Sequence, residues 1–558
     1  MNAALKKLFE DYFKEYMELI PIMATFIGIH KYNHLYPNYL SEQEIVKNKI
    51  FYKKYLNLIK KINKLDLSKK DIHHINVLKS RLEGDLESYK YPFDLLPIDH
   101  FNNFIIDHIE TSSGKSFLPL KTNKDFKNLI SQTRSFFEVI DSSICKMREG
   151  ISKDIVFSKI IMKKTLKQLK NVIKTKNYLV SPSKIPNNLK DEYLEVMDIQ
   201  FTLKIKKMIK FLENEYIDNC SDDLRYPGGP EVYKYLVKNY TTLKNPNIPK
   251  IHKLGLDEVE RINGEIDVLF LTNNMKRPTN NQLRKMTFKS KSNIINDYER
   301  VRKIINEKII PKYFNIKISH DYLLKKVPEF KEDSDAGAYY RMCSIDNKRK
   351  GTFFLNMSDV EDHQTYSTLS LSLHEGNPGH HFQLTYVNDL DLPNFISYCG
   401  DEIAYVEGWA LYAESLAHDF FKDSKDEKDI MFRFGCYNYE MMRACRLVVD
   451  TGIHYYGWDF KKCFDYMKQN TTFSKKEIEN EIYRYVAYAG QALAYKIGEL
   501  KFKELKEYFL KNNKGTDKGN DKGNDKGNDK DIIKEFHKKV LEMGSCSMEL
   551  LEKMVKNN

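Results

Sequence analysis

The sequence predicts a mainly α-helical protein with one small β element. Amphipathic segments with short polar breaks follow one another along most of the 558 residues. The pattern changes between residues 335 and 357, where Ala338-Tyr-Tyr and Thr352-Phe-Phe-Leu-Asn-Met357 are short and rich in aromatic residues, as strands are. A Lys-Arg-Lys-Gly turn precedes the second segment. We therefore expect a large multi-helix fold with a small β-hairpin or sheet.

Turn-forming residues divide the helical pattern. Breaks occur near Tyr91 to His100 and at Ser181-Pro-Ser-Lys-Ile-Pro186, and the clearest is Cys220 to Pro230, which contains Pro227-Gly-Gly-Pro230. We use this last break to separate an N-terminal helical region, residues 1–225, from a catalytic region, residues 226–558.

A low-complexity tract interrupts the last helices. From Lys514 to Lys530, Lys-Gly-Thr-Asp is followed by three copies of Lys-Gly-Asn-Asp. Such a tract cannot bury apolar surface, so we expect a disordered insertion in a surface loop at about residues 512–531. A binding role for the repeat is the alternative.

Composition excludes several classes of protein. A hydrophobic content of 41% in a chain of this length supports an extensive core. The net charge of +12 comes from lysines spread along the chain without a nucleic-acid-binding module, which indicates a solvated surface. The eight cysteines form no Cys-x-x-Cys pair, so reduced thiols are expected. No signal core and no span of 18 apolar residues is present, which predicts a cytoplasmic protein without nucleic-acid or membrane partners.

The segment Leu373-His-Glu-Gly-Asn-Pro-Gly-His-His-Phe-Gln383 indicates a metal site. In the zincin motif His-Glu-x-x-His, two histidines one helical turn apart bind Zn²⁺ and the Glu acts on the attacking water. Here the fourth residue after His374 is Pro378, and the next imidazoles are His380 and His381. The Gly and Pro residues between must break or bulge the helix, which can bring a later imidazole back to the metal. We assign His380 as the second ligand, with His381 as the alternative.

A catalytic zinc needs a third protein ligand. The segment Glu402-Ile-Ala-Tyr-Val-Glu-Gly-Trp-Ala-Leu-Tyr-Ala-Glu414 supplies carboxylates among apolar residues, where an unpaired carboxylate would be costly to bury. Glu407 is our choice, and Glu402 and Glu414 are the substitutes. Glu407 and Glu414, seven residues apart, share one helix face. The alternative is that these glutamates are solvated surface residues. The crowding of Trp409, Leu411 and Tyr412 around Glu407 argues against it.

Four strings in order resemble one family: His374-Glu-Gly-x-Pro-Gly-His-His, Glu407-Gly-Trp-Ala-Leu-Tyr-Ala-Glu414, Arg446-Leu-Val-Val-Asp-Thr-Gly-Ile-His454 and Gly490-Gln-Ala-Leu-Ala-Tyr-Lys-Ile-Gly498. They are similar to the domain-of-unknown-function 885 family, regarded as zinc hydrolases distantly similar to gluzincin metallopeptidases. The resemblance implies a mostly helical, zincin-like peptidase fold of the gluzincin type, with the hairpin or sheet beside the metal helix. The resemblance does not identify a substrate. Ala489 departs from the family, which has Pro before the equivalent of Gly490.

Further candidates lie downstream. Arg443, Arg446, Asp450 and His454 share a narrow helical sector, which indicates either an internal salt-bridge ladder or a stripe lining the site. In the second case, His454 or an Arg would hold a substrate carboxylate or the oxyanion, with Asp450 orienting one of them. The resemblance also implies that Tyr495 is an oxyanion donor and that Arg484 belongs to the site. The chain contains many other tyrosines and arginines, for which no such role is implied.

These residues predict a metallopeptidase that cleaves peptide bonds in short peptides. One Zn²⁺ per chain, held by His374, His380 and Glu407, would activate water and polarise the scissile carbonyl. Glu375 would take the proton of the water and pass it to the leaving amine. Two alternatives stay open: a catalytically inactive helical scaffold that binds a peptide or a partner, and a zinc hydrolase of a non-peptide amide or ester.

Overall fold

Helices account for nearly all regular structure in this protein. The computed structural model describes residues 1–65, 67–114, 116–328, 337–400, 402–513 and 525–556. The helices before the sheet are α1 (Ala3–Leu19), α2 (Pro21–Ile27), α3 (Glu42–Lys60), α4 (Lys69–Ser88), α5 (Phe104–Ser112), α6 (Asn123–Ser152), α7 (Lys159–Thr175), α8 (Lys190–Leu194), α9 (Phe201–Phe211), α10 (Pro230–Thr241), α11 (Ile248–Thr272), α12 (Asn280–Arg284), α13 (Lys291–Ile304) and α14 (Ile310–Tyr313). A π-helical segment, Ile305–Ile309, joins α13 to α14.

The second half carries the motifs. Its helices are α15 (Thr368–Glu375), α16 (His380–Asp389), α17 (Asn394–Tyr398), α18 (Ile403–Phe420), α19 (Glu427–His454), α20 (Phe460–Asn470), α21 (Lys475–Ala487), α22 (Leu493–Asn513), α23 (Asp525–Leu541) and α24 (Met548–Lys556). Local sequence defines their starts: Ser474 and Glu477 form a capping box at α21, and the Asp426 carboxylate accepts backbone N–H groups at the start of α19. No described helix is long and apolar enough to cross a membrane.

The strands form one three-stranded sheet in the order β1-β3-β2. β1 (Leu323–Lys326) pairs in parallel with β3 (Thr352–Leu355), and β2 (Ala338–Arg341) pairs antiparallel with β3. The predicted mainly helical class with a small β element is confirmed, and β2 and β3 are the two strands expected from the aromatic segments. β1 was not predicted, because Leu-Leu-Lys-Lys has neither aromatic nor β-branched residues.

Separate apolar cores divide the chain. Buried residues of α1 to α4 pack with those of α15 to α18 and α22 to α24 in one core, while α5 to α9 surround a second. A third core joins α11 to α19, α20 and α21. The first four helices thus pack with the C-terminal part, whereas the predicted division at residue 225 grouped them with α5 to α9. That division stays a prediction.

The predicted insertion falls mostly on residues 514–524, which lie outside the described residues. α22 ends at Asn513 and α23 already begins at Asp525, so the last part of the segment predicted as disordered is helical.

A glycine pair brings two motif helices together. Gly408 on α18 faces Gly498 on α22, and a Cβ on Gly408 would lie 2.5 Å from the Cα of Gly498. A Cβ on Gly498 would lie 2.0 Å from the carbonyl oxygen of Ala404. The backbones therefore approach more closely than any other residue allows at these positions, which sets Glu407 on α18 beside Tyr495 on α22.

Candidate metal centre

The histidines of the motif lie on two helices separated by a break. α15 ends at Glu375 and α16 begins at His380, so the break expected from Gly376, Pro378 and Gly379 is confirmed. A Cβ on Gly379 would lie 1.9 Å from the carbonyl oxygen of His374, so only glycine lets α16 begin this close to α15. The break returns His380 to the side of His374.

Side chains from two other elements hold this break in place. The Trp409 Nε1–H of α18 donates to the carbonyl oxygen of Pro378 at 2.8 Å. The Asn377 amide donates to the Asn306 side-chain oxygen, in the π-helical segment, at 2.8 Å. Because both bonds are short and mostly buried, the start of α16 is fixed relative to α18.

Three side chains converge on one point. The ligand atoms of His374, His380 and Glu407 all lie within 4.8 Å of one another. The Nε2 atoms of both imidazoles lie 3.4 Å from Glu407 Oε2, and the two rings are nearly perpendicular, with centroids 4.8 Å apart. Two imidazoles and a carboxylate are the donor set of a catalytic zinc site, which keeps its fourth position open.

The hydrogen bonding of these groups tests whether a cation fits. His374 Nδ1 donates to Glu414 Oε1 at 2.8 Å, which leaves Nε2 facing Glu407 Oε2 at 3.4 Å. Glu407 Oε2 is buried and has no hydrogen-bond partner within the described part of the chain. An imidazole nitrogen facing a carboxylate oxygen at this distance needs a proton or a metal cation between them. The residues therefore fit a divalent metal ion.

The charged groups at the centre shift one another's pKa. Burial lowers the pKa of His374, but the Glu407 and Glu414 carboxylates outweigh burial and raise this pKa to about 9. Burial acts to raise the pKa of Glu407, yet the imidazoles of His380 and His374 hold it well below its usual range. Glu407 is therefore ionised, as a metal ligand must be.

Glu414 holds the candidate ligand His374 rather than joining the three converging groups. Its carboxylate is 2% exposed, accepts from His374 Nδ1 and the Ser370 hydroxyl, and lies 3.5 Å from the Arg443 guanidinium. A carboxylate that accepts from a ligating imidazole fixes its tautomer and orientation. Sequence reasoning placed Glu414 on the face of Glu407 but treated it as a substitute ligand. The other substitute, Glu402, lies 3.7 Å from Arg81 at the start of α18.

Tyr495 and Arg484 both reach the centre. The Tyr495 hydroxyl donates to Glu407 Oε1 at 3.0 Å, and Arg484 Nη2 donates to the Tyr495 hydroxyl oxygen at 3.0 Å. The Arg446 guanidinium lies 4.5 Å from the centroid of the Tyr495 ring, and its Nε and Nη2 bind Glu481 at 3.1 and 2.9 Å. A phenol and arginines thus surround the Glu407 carboxylate.

Glu375, the predicted general base, is the last residue of α15 and follows the ligand His374 directly. It is 7% exposed. A buried carboxylate at this position can serve as a general base once a substrate is bound.

His381, the alternative ligand, faces another way. Its Nε2 donates to the carbonyl oxygen of His320 at 3.1 Å, and its Nδ1 accepts from the Tyr340 hydroxyl at 3.0 Å. Burial lowers the pKa of His381 to about 4. This neutral imidazole therefore joins α16 to β2, and the structure brings His380, not His381, to the centre.

The polar stripe of α19 is divided between two roles. Arg443 and Arg446 reach the centre, whereas His454 accepts from the Tyr226 N–H at 3.0 Å and donates to the Tyr485 carbonyl oxygen at 2.9 Å. Burial lowers the pKa of His454 to about 4. With both ring nitrogens bound to backbone, His454 has no atom left for a substrate carboxylate, and the structure does not place it at the centre.

Asp450, expected to orient one of these groups, instead accepts from the Tyr233 hydroxyl at 2.6 Å and the Gly490 N–H at 3.0 Å. It therefore ties α10 and the Gly490 turn to α19. The half of the stripe nearer the end of α19 is structural.

Nearly the whole chain matches one family model. Residues 21–555 match the model described as "Bacterial protein of unknown function (DUF885)", and the protein belongs to this family. The resemblance inferred from the four strings is thus confirmed, while the description names no activity. No curated protein matches the sequence significantly.

Two solved structures share the fold. A putative lipoprotein from Colwellia psychrerythraea is 23% identical, with a TM-score of 0.84, and the match covers 99% of this chain and 98% of that chain. A putative lipoprotein of unknown function from Shewanella oneidensis is 14% identical, with a TM-score of 0.74, covering 99% and 100%. At these identities the likeness shows the fold alone.

Proposed function

We propose that this protein is a zinc-dependent hydrolase that cleaves peptide bonds. The observation that carries the proposal is the convergence of His374, His380 and Glu407, with the unpartnered Glu407 Oε2 between the two imidazoles. A structural zinc site takes four protein ligands, whereas three protein ligands leave a position for the reaction. Glu375 beside the centre gives this set of ligands the base that hydrolysis requires.

Each residue has a separate task in this proposal. When bound, zinc would supply acidity to a water molecule and polarise the scissile carbonyl. Glu375 takes the proton of that water and delivers it to the leaving amine. Tyr495 turns its hydroxyl from Glu407 towards the negative charge that develops on the carbonyl oxygen, and Arg484 keeps the phenol oriented.

The sheet favours a peptide over another amide or an ester as the substrate. β2 is an edge strand, and the Tyr340 side chain binds His381, the residue after the ligand His380. Asn356 N–H donates to the carbonyl oxygen of Gly337, so in the antiparallel register the backbone groups of Ala338 and Tyr340 point away from β3. An extended peptide can pair with these groups.

A cavity of about 410 Å³ supports the same assignment. It runs past Tyr339, Tyr340 and Arg341 of β2, and its apolar wall includes Ile22 and Phe26 of α2. Its volume lies in the range of ligand sites. A peptide along β2 would place side chains in it.

A cytoplasmic location stays a prediction.

Metal analysis and hydrolysis together test the proposal. Purified protein should hold about one zinc per chain, and Glu407→Ala should lower retention sharply because it removes one of three ligands. Glu375→Gln should keep the zinc and the fold while hydrolysis of a short-peptide library falls at least about a hundredfold.

Metal bound without cleavage of any peptide or ester would instead favour the inactive scaffold. Equal activity of Glu375→Gln and wild type would place the chemistry elsewhere.

A further inference from the structure

Three arginines around Tyr495, of which Arg443 and Arg446 are buried and Arg484 is partly buried, carry buried N–H groups that no part of the described chain accepts. They are Arg443 Nε, Arg446 Nη1 and Arg484 Nε. The three guanidinium carbons lie 5.9, 4.5 and 5.8 Å from the centroid of the Tyr495 ring, in that order. Arg443 and Arg446 are only 4% and 3% exposed. Leaving a buried charged donor unsatisfied is costly, so this arginine cluster indicates a missing acceptor.

The carboxylates nearby do not neutralise the cluster. Glu414 is shared between Arg443 and His374, and Glu481 is shared between Arg446 and Arg484, whose Nη1 lies 3.7 Å away. Two carboxylates thus face three guanidinium groups. Glu407 lies within reach of Tyr495, but its other oxygen faces the two imidazoles. An additional negative group is needed to balance the cluster.

We infer that the arginine cluster binds the C-terminal carboxylate of the peptide substrate, which makes the centre a carboxypeptidase. This inference rests on the proposed hydrolase function. Arginine suits the task because its planar fork matches a carboxylate and keeps its charge when buried. Arg446 Nη1 and Arg484 Nε are the donors left for this ligand, because other nitrogens of these two side chains already bind Glu481 and Tyr495.

The distances set the length of the fragment that is removed. Tyr495 separates the arginine cluster from the metal centre: its hydroxyl touches Glu407, and its ring stacks 6.4 Å from that of His374. Two extended residues span at most about 7 Å. With only the Tyr495 ring between them, the cluster is placed to accept a carboxylate one or two residues beyond the scissile bond.

The reaction is ordinary hydrolysis with this added constraint. The water oxygen bonds to the carbonyl carbon, the C–N bond breaks, and one water proton reaches the leaving amine through Glu375. The other proton leaves with the new carboxyl group. The products are a shortened peptide and a free amino acid or dipeptide, whose carboxylate remains in the arginine cluster until release.

A paired peptide experiment tests the inference. One pool of N-acetylated hexapeptides with free C-terminal carboxylates is compared with the same pool as C-terminal amides, and products are read by mass spectrometry. The free acids should be cut at least about tenfold faster, since a charge-assisted bond to arginine is lost in the amide. Cleavage should release one or two C-terminal residues.

A binding measurement separates this inference from the hydrolase proposal. Calorimetric titration of the Glu375→Gln protein with both pools should show at least about tenfold tighter binding of the acids. If neither pool is cut but the acids bind preferentially, the hydrolase proposal fails and the carboxylate site stands. Equal cutting of both pools, internal cleavage, equal affinity or no binding of either pool would overturn the carboxylate site.

Variants of the arginine cluster distinguish a role in binding the carboxylate from a structural role. Arg446→Gln should lower the ratio of acid to amide cleavage at least about tenfold. Arg484→Gln offers the same ratio as a readout if Arg446→Gln does not fold, because any loss of Tyr495 orientation slows acids and amides alike. Arg81→Gln is the matched control: this arginine is also mostly buried, but it binds the carbonyl oxygens of Phe395 and Ser545. A preference that survives both site variants would contradict the assignment.

Discussion

The hydrogen bond between Glu414 and His374 should set the affinity of the metal centre. It joins Glu414 Oε1 and His374 Nδ1 at 2.8 Å, with the carboxylate 2% exposed. A buried hydrogen bond to a charged group contributes about 1.5–3 kcal/mol and a neutral one about 1 kcal/mol. Glu414→Gln keeps the acceptor and removes the charge, so zinc affinity should fall about tenfold.

Glu414→Ala removes the acceptor as well. The affinity should then fall about a hundredfold, which is the upper end for groups that orient a ligating imidazole. The assay is competition for zinc with a chromophoric chelator at neutral pH, after circular dichroism has shown that each variant is folded.

Glu258→Gln provides the control, because Glu258 is also mostly buried and pairs with Arg261 at 2.7 Å without contacting a ligand. Unchanged zinc affinity in a folded Glu414→Ala protein would refute the reasoning. An equal loss in Glu258→Gln would show that the effect is not specific to His374.

Three more perturbations follow from the contacts. Tyr495→Phe should retain zinc but lower kcat about a hundredfold, the loss expected for one oxyanion donor; a loss of metal instead would make the phenol only a support for Glu407. Burial raises the pKa of Asp450 to about 7, although the hydrogen bond from Tyr233 acts to lower it. The folded state therefore binds this proton more tightly than the unfolded state, and the free energy of unfolding falls as the pH rises from about 4 to about 7. In Asp450→Asn, urea unfolding with chelator present should change less between pH 5 and pH 7.5 than in the wild type; equal slopes would contradict this. Gly498→Ala should cost about 1–3 kcal/mol of unfolding free energy through overpacking, and an unchanged denaturation midpoint would disprove the close contact.

Local patterns in the sequence predicted the parts of the centre that lie close together along the chain. Gly376, Pro378 and Gly379 predicted the break, because their backbone preferences are intrinsic. They could not decide between His380 and His381, since the break removes the helical phase that relates these residues to His374. The decision depends on Tyr340 and His320, which are remote in sequence and which occupy both nitrogens of His381.

Helical spacing also predicted shared faces but not their partners. Arg446 and His454 lie on one sector of α19, yet only Arg446 reaches the centre, because the Tyr485 carbonyl and the Tyr226 N–H occupy His454. Similarly, Glu414 was recognised as sharing a face with Glu407. Its role in holding His374 depends on how α15 crosses α18, and one sequence contains no local signal for a crossing.

The glycine contact between α18 and α22 limits which parts of the protein can move. The backbones of α18 and α22 touch at Gly408 and Gly498, with no layer of side chains between them. The two helices therefore cannot slide past each other easily, and Glu407 and Tyr495 should move together. A rearrangement that admits a peptide therefore has to occur at another boundary. The boundary beside the cavity, where α2 faces β2, is a place where a local rearrangement can widen the path for a peptide without moving Glu407 relative to Tyr495.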